Sequence, residues 1–253
     1  MPKIFYAIMG SILILIAIFT FTQPSDNSPS STEDLSATEL STENPSVKKD
    51  YPVLVLDAGH GGFDPGKVGV HGELEKDINL AIVKKLQILL EEEGFTVHLT
   101  RDSDKILAPA NSTSKKKDDM IARIEKITEI NPAFTISIHQ NSFTTPDISG
   151  PQVFYYKDSD ISATIAQTLQ EVLNEYLQPS KPRETQSNTN YYLLTRTPTP
   201  TVIVECGFLS NPEEATRLSS DEYQSKVAQG ICLGILTYLE QQESTPKTSE
   251  YLQ

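Results

Sequence analysis

Between residue 51 and about residue 242, short runs of β-branched and other apolar residues alternate with longer stretches in which apolar residues recur at helical spacing. The runs that predict strands are 53–57, 96–100, 134–138, 153–156, 191–194 and 202–205. The stretches that predict helices are 76–93, 118–130, 159–177 and 221–239. Strands that alternate with helices favour a parallel sheet covered on both faces. We therefore predict a single three-layer α/β domain over residues 51–242, with a mostly parallel open sheet flanked by helices.

A glycine-rich loop follows the first predicted strand. Residues 59–69 contain five of the 12 glycines of the chain, and these glycines surround His60. Such a loop either binds phosphate through backbone N–H groups or brings a side chain onto a metal. Residues 61–67 fit the frame G-x-x-x-x-G-K, but Val68 stands where a phosphate loop needs Ser or Thr, and Pro65 lacks a backbone donor. These two residues disfavour phosphate binding and leave a metal site or a simple turn.

Side chains that suit metal chemistry follow several predicted strands. His60 lies just beyond the first strand, His139 just beyond the third, and Glu205 ends the last, while Glu75 begins the first helix. In open α/β sheets, ligands bind outside the carboxyl ends of the strands. Two imidazoles and a carboxylate around an open position form a catalytic zinc site, and a separate carboxylate can act as a base. The sequence predicts a zinc site at this edge of the sheet.

Five sequence blocks, in order and spacing, carry a family resemblance. "VLDAGHGG", "ELEKDINLAIVKKL", "LTRDSD", "FTISIHQNS" and "VIVECGFLSNPEE" resemble the zinc-dependent N-acetylmuramoyl-L-alanine amidases, which cut bacterial peptidoglycan. The resemblance implies that His60, Glu75 and His139 bind Zn²⁺ and that Glu205 is catalytic. Glu73 lies two residues before Glu75, but the K-D-I-N-L context favours Glu75 as the ligand. The implied reaction is hydrolysis of the amide between N-acetylmuramic acid and L-alanine.

The resemblance is strongest to the spore-cortex amidases of endospore formers, because the chain is short and has an apolar N-terminal segment. Two alternatives come from other classes. A zinc carboxypeptidase that trims stem peptides usually has a close H-x-x-E pair, which this chain lacks, and a catalytically silent wall-binding module is expected to lose one of the four site residues. A serine hydrolase is disfavoured because no G-x-S-x-G motif is present.

The N-terminal residues predict the compartment. Lys3 precedes an apolar run over residues 4–21, which predicts a signal anchor or signal peptide over residues 1–22. No A-x-A-like cleavage site follows, and this favours an anchor. Residues 23–50 are rich in Ser, Thr and Pro and predict a disordered polar linker, and residues 243–253 predict a disordered tail. We expect an extracytoplasmic enzyme that is tethered to the membrane or secreted after cleavage.

The acidic composition restricts the partners. A formal net charge of −13 excludes nucleic acid held by charge, and we expect a monomeric catalytic domain with peptidoglycan as substrate. The sequence leaves open whether an activating partner protein is needed. Cys206 and Cys232 allow one disulfide without requiring it, and their apolar surroundings also suit buried thiols.

Five further polar residues lie near the predicted site in sequence. His71 and His98 are interpreted as surface histidines without a role. Arg101 and Arg123 either hold the edge of the sheet or bind carboxylates of the substrate. Asp57 either orients a metal-binding imidazole through a hydrogen bond or serves the turn that follows the first strand.

Overall fold

Six strands form one sheet in the computed structural model of the protein, which describes residues 51–244. Across the sheet their order is β2-β1-β3-β6-β4-β5. All neighbouring pairs are parallel except β4 and β6, which are antiparallel. The prediction of a mostly parallel sheet is confirmed. The strands are β1 (Val53–Ala58), β2 (Thr96–Leu99), β3 (Phe134–Asn141), β4 (Gln152–Tyr156), β5 (Gln186–Asn188) and β6 (Thr201–Phe208).

Helices cover both faces of the sheet, which confirms the three layers. On one face, the main core cluster joins Leu54, Ile136 and Val204 to the helices α1, α3 and α6. On the other face, Val55 packs against Ile127 of α2 and Leu193 of α4. The helices are α1 (Glu75–Glu92), α2 (Lys115–Ile130), α3 (Asp160–Leu177), α4 (Tyr192–Arg196), α5 (Pro212–Leu218) and α6 (Asp221–Ser244).

The structure corrects one predicted strand. Residues 191–194 belong mostly to the short helix α4, which buries Leu193 against α2 and Leu194 against Phe154 and Ile203. A short apolar run is compatible with a strand or a buried helical turn, so periodicity could not decide between them. The strand that completes the set of six is instead β5, and its residues Gln-Ser-Asn include no apolar side chain. This strand lies at the edge of the sheet, where no burial pattern reveals it.

Two other differences affect the site region. The strands β3 and β6 continue to Asn141 and Phe208, about three residues beyond the predicted ends. After β6, the chain forms α5, a helix that was not predicted from the sequence. The side chain of Asn211 caps this helix by accepting the backbone N–H groups of Glu213 and Glu214, both at 3.0 Å.

The predictions for the chain ends lie largely outside the described residues. The predicted anchor over residues 1–22, the linker over residues 23–50 and residues 245–253 of the tail are not described, and α6 continues to Ser244. Among residues 51–244, no helix combines the length and the hydropathy that crossing a membrane requires. Cys206 and Cys232 are buried free thiols, so the disulfide that the sequence allowed is not formed.

Candidate metal centre

Three neighbouring strands place one polar side chain each in a row across the sheet. His139 of β3 is the direct partner of Glu205 in β6, and Gln152 of β4 is the antiparallel partner of the same Glu205. Directly opposite residues carry their side chains on the same face of a sheet. The adjacent Ile138 and Val204 belong to the core cluster with α1, α3 and α6, so the polar row faces the layer of α2 and α4.

One end of this row is a cluster of two histidines and a glutamate. Nε2 of His60 lies 3.2 Å from Oε2 of Glu75, and Nδ1 of His139 lies 2.9 Å from Oε1 of the same carboxylate. The three residues offer ligand atoms that all lie within 4.8 Å of one another. Two imidazoles and a carboxylate that converge in this way form a candidate metal-binding triad.

Glu75 is held ionised although it is buried. Its carboxylate accepts the backbone N–H groups of Lys67 at 2.7 Å and Gln140 at 3.1 Å. Burial by itself raises the pKa of this carboxyl, but the hydrogen bonds from His139 and His60 outweigh burial and hold the pKa well below its usual range. A carboxylate that stays charged near neutral pH suits a metal ligand.

Asp64, which was not predicted from the sequence, orients the ring of His60. Its Oδ2 lies 2.8 Å from Nδ1 of His60, and its Oδ1 pairs with Nζ of Lys116 at 2.8 Å. Backbone hydrogen bonds of 3.0 Å in both directions join Gly61 and Asp64 and close the loop. The signal in the sequence was an acidic residue four positions after the histidine, inside the glycine-rich segment.

The glycines of the loop make room for the site side chains. A Cβ atom on Gly59 would lie 2.2 Å from Cε1 of His139, and one on Gly66 would lie 2.5 Å from Oε2 of Glu75. Gly66 also has φ +70°, a left-handed conformation that L side chains rarely adopt. His60 itself has φ 62°, which is uncommon for a residue other than glycine and occurs at functional sites. The glycine-rich loop is therefore shaped around the histidines and Glu75.

Two buried arginines hold the backbone of this loop. Arg123 donates to the carbonyl oxygens of Ala58 at 2.7 Å and His60 at 2.5 Å. Arg101 donates to the carbonyl oxygens of Ala58 at 2.8 Å and Gly59 at 3.0 Å. Both side chains are almost completely buried. Of the two interpretations from sequence, the structure supports holding the edge of the sheet, because neither guanidinium is open to a substrate.

Asp57 acts through Arg123 and contacts neither imidazole. Its Oδ1 accepts from Arg123 Nη1 and from the hydroxyl of Thr100, and its Oδ2 accepts from the hydroxyl of Ser137, all at 2.6 Å. Burial raises the pKa of this carboxyl, but the charge of Arg123 and the two hydroxyl hydrogen bonds outweigh burial and lower it to about 2. The suggestion that Asp57 orients an imidazole is wrong, since Asp64 has that position.

Glu205 differs from Glu75 in its surroundings. It is buried in β6 beside His139, and its Oε2 has no hydrogen-bond partner among residues 51–244. Burial raises the pKa of Glu205 to about 7, although the neighbouring His139 lowers it. A carboxyl whose pKa lies near neutrality can accept and return a proton at physiological pH.

The remaining sequence candidates lie outside this cluster. Oε2 of Glu73 accepts the backbone N–H of the exposed His71 at 3.0 Å. His98 is exposed on β2, and neither histidine nor Glu73 contributes to the candidate metal triad. The structure therefore brings together His60, Glu75, His139 and Glu205.

Comparisons with known families, sequences and structures all point to the same family. The model of the N-acetylmuramoyl-L-alanine amidase family matches residues 54–237. The germination-specific N-acetylmuramoyl-L-alanine amidase of Bacillus subtilis is 36% identical over 199 residues, which cover 77% of this chain and 83% of the relative.

Two solved structures are also similar. The CwlD amidase from Clostridioides difficile, solved in complex with the GerS lipoprotein, has 38% sequence identity and a TM-score of 0.73, and the match covers 75% of this chain and 99% of that one. The amidase AmiC2 of Nostoc punctiforme has 34% identity and a TM-score of 0.66, with 74% and 97% covered. The chain therefore belongs to the N-acetylmuramoyl-L-alanine amidase family, whose members are hydrolases that cut peptidoglycan.

Proposed function

We propose that this protein is a zinc-dependent hydrolase that cleaves the amide between the lactyl group of N-acetylmuramic acid and L-alanine of the stem peptide. His60, Glu75 and His139 bind the zinc ion, and Glu205 is the general base. The observation that carries this proposal is the row in which the buried Glu205, whose Oε2 has no hydrogen-bond partner among residues 51–244, lies beside a converging His-Glu-His triad. In this arrangement three residues can bind a metal, and a fourth, Glu205, remains available to accept a proton.

The residues of the triad fit a zinc ion. Asp64 lies against Nδ1 of His60, and this hydrogen bond fixes the tautomer that leaves the Nε2 lone pair free for a metal. Glu75 supplies a negative charge that lies between the two imidazoles. When bound, zinc would polarise the scissile carbonyl and lower the pKa of a coordinated water.

Glu205 performs the proton transfers. Its carboxylate takes a proton from the water that attacks the carbonyl carbon, and it then delivers a proton to the alanine nitrogen as the C–N bond breaks. The products are a free lactyl carboxyl group on the sugar and a peptide that begins with L-alanine. Since Oε2 has no partner among the described residues, no protein hydrogen bond has to break before this oxygen accepts the proton.

Similarity to the germination-specific amidase of Bacillus subtilis and to CwlD supports a role in the spore cortex. Residues 51–242 form the catalytic domain, preceded by an anchor or signal peptide over residues 1–22 and a linker over residues 23–50, and followed by a tail over residues 243–253. This arrangement places the enzyme outside the cytoplasm, at the membrane or secreted from it. Because CwlD was solved with a lipoprotein, a partner protein for this chain is part of the proposal.

Product analysis tests the reaction. The full-length protein, loaded with zinc, is incubated with purified muropeptides, and the new ends are identified by mass spectrometry. The amidase predicts free muramic lactyl groups together with peptides that begin with L-alanine. Release of C-terminal D-alanine would establish a carboxypeptidase instead, and binding without any product, both alone and with a lipoprotein partner added, would establish a silent wall-binding module.

A further inference from the structure

A cleft opens at the end of the polar row opposite to the metal triad. Its volume is about 240 Å³. The aromatic rings of Phe143, Phe154, Tyr191 and Phe208 line it, together with Gln152 and one charged residue, Arg183. Asn141 and Gln186 add two further amides to the lining, and a mainly aromatic cleft with one cation and a few amides is typical of a site that fixes the orientation of a ligand by a few polar contacts.

Arg183 is held in place by Gln152 and Phe208. Its Nε and Nη2 both donate to Oε1 of Gln152, at 3.2 Å and 3.0 Å. Its guanidinium also lies over the ring of Phe208, 5.1 Å from the centroid. The buried carboxylate of Glu214 interacts with Arg183 electrostatically, but within residues 51–244 no carboxylate is in direct ion-pair contact with the guanidinium, and the hydrogen bonds to Gln152 use only Nε and Nη2. A guanidinium held in this way has donors left for a planar anion such as a carboxylate.

Gln152 lies between Arg183 and the catalytic Glu205. Gln152, to which Arg183 is bound, is the direct cross-strand partner of Glu205. Opposite residues in an antiparallel pair have Cβ atoms about 5 Å apart, and Arg183 precedes β5, which lies on the side of β4 away from β6 and β3. A substrate residue that binds Arg183 is therefore close to the scissile amide but not part of it.

The stem peptide offers an anion close to the scissile amide. Its second residue is a glutamate linked through its side-chain carboxyl, so the main-chain α-carboxyl of that residue is either free or converted to an amide. Two residues of extended chain span at most about 7 Å, which places this group one residue beyond the alanine whose nitrogen is released. No other charged residue lines the cleft.

Given the proposed amidase function, we propose that Arg183 binds the free α-carboxylate of the second stem-peptide residue and makes the enzyme prefer stem peptides in which this group is not amidated. The guanidinium donates to both oxygens of a carboxylate, whereas a primary amide presents only one acceptor and turns an NH₂ group towards the arginine donors. Arg183 thus determines specificity, and the chemical step remains with Glu205.

The test compares two muramoyl peptides that differ only in this group, one with a free α-carboxylate and one with its amide. Full-length wild-type protein should have a kcat/KM at least about tenfold higher for the carboxylate, mainly through a lower KM. Arg183→Gln should reduce this ratio to near one. Arg196→Gln is the matched control, because Arg196 lies over the ring of Tyr192 and does not line the cleft. It should keep the wild-type ratio.

The ratio separates recognition from structural damage, because a general disturbance of Gln152 or Glu205 slows both substrates alike. If Arg183→Gln does not fold, the test uses Arg183→Lys and compares its ratio of kcat/KM for the two peptides with that of the wild type. The lysine variant should retain part of the preference for the carboxylate. A wild-type enzyme that cuts both peptides equally well, or an Arg183→Gln protein that keeps the full preference, overturns the role of Arg183 and leaves the amidase function standing. Failure to cut either peptide contradicts the amidase function itself.

Discussion

Replacing Arg123 by methionine should both destabilise the fold and weaken metal binding. The side chain donates to the carboxylates of Asp57 and Asp119 and to the carbonyl oxygens of Ala58 and His60. Methionine fills a similar volume but leaves the buried carboxylate of Asp57 without its cation. It also removes the hydrogen bond to the carbonyl oxygen of His60, whose backbone has a left-handed conformation.

The size of the effect follows from this burial. Removing one partner of a buried ion pair costs about 3–5 kcal/mol, and Arg123 and Asp57 are both buried, with a contact of 2.6 Å. For a domain of roughly 150–250 residues, each kcal/mol lowers Tm by about 2–4 °C. We therefore expect Tm to fall by about 6–20 °C. We also expect zinc affinity to fall about 10- to 100-fold, as when groups that orient metal ligands are removed.

Thermal unfolding followed by circular dichroism and zinc competition with a chelating dye measure the two effects. Lys126→Met is the matched control on the same helix, because Lys126 donates a single hydrogen bond, to the carbonyl of Thr100 at 3.0 Å. It should lower Tm by only a few degrees. Combining Arg123→Met with Asp57→Asn should cost less than the sum of the two single variants, since the uncompensated charge is then absent. An Arg123→Met protein with wild-type Tm and zinc affinity would refute the reasoning.

Three further results are expected. Gly59→Ala should lower zinc affinity by at least about tenfold, because its Cβ would lie 2.2 Å from Cε1 of His139; an unchanged affinity in dye competition would show that the ring is free to move. The Asp57 pKa falls from 3.8 to about 2 on folding, so its stabilisation is complete above about pH 4 and is lost as the pH falls through 2. The difference in unfolding free energy between wild type and Asp57→Asn, measured with urea at several pH values, should therefore shrink on acidification, and growth of this difference would contradict the assignment. A protein comprising residues 51–253 should fold and retain full activity on muropeptide fragments, since the candidate site lies within residues 51–244; a folded but inactive truncation would show that the first fifty residues contribute to catalysis.

The sequence was most informative where chemistry and secondary structure coincide. His60 and His139 follow apolar runs, and parallel strands bring such positions to one edge of the sheet, so their meeting follows from the topology. Glu75 begins the helix after β1, which explains why it was predicted to join them. The glycines around His60 indicated close packing, and the atoms that would clash are the ring of His139 and the carboxylate of Glu75.

Other features depend on contacts between distant segments and left no local pattern. Arg183 lies in a polar segment without periodicity, and its position becomes meaningful only through its contact with Gln152, 31 residues earlier in the chain. The roles of Arg101 and Arg123 stayed open because burial of a cation cannot be read from its neighbours in sequence. Residues 191–194 were assigned to a strand because four residues are too few to distinguish a period of 2 from a period of 3.6.

The central claim is the division of roles between two buried carboxylates, and zinc content measured together with kcat tests it most directly. Glu205→Gln should bind one zinc ion per chain like the wild type and turn over at least about a hundredfold more slowly, since general acid–base assistance contributes about 10²- to 10⁴-fold. Glu75→Gln should lose zinc along with activity. Glu73→Gln, the control two residues earlier, should keep both. A Glu205→Gln protein that loses its metal, beside a Glu75→Gln protein that keeps it, would contradict the account.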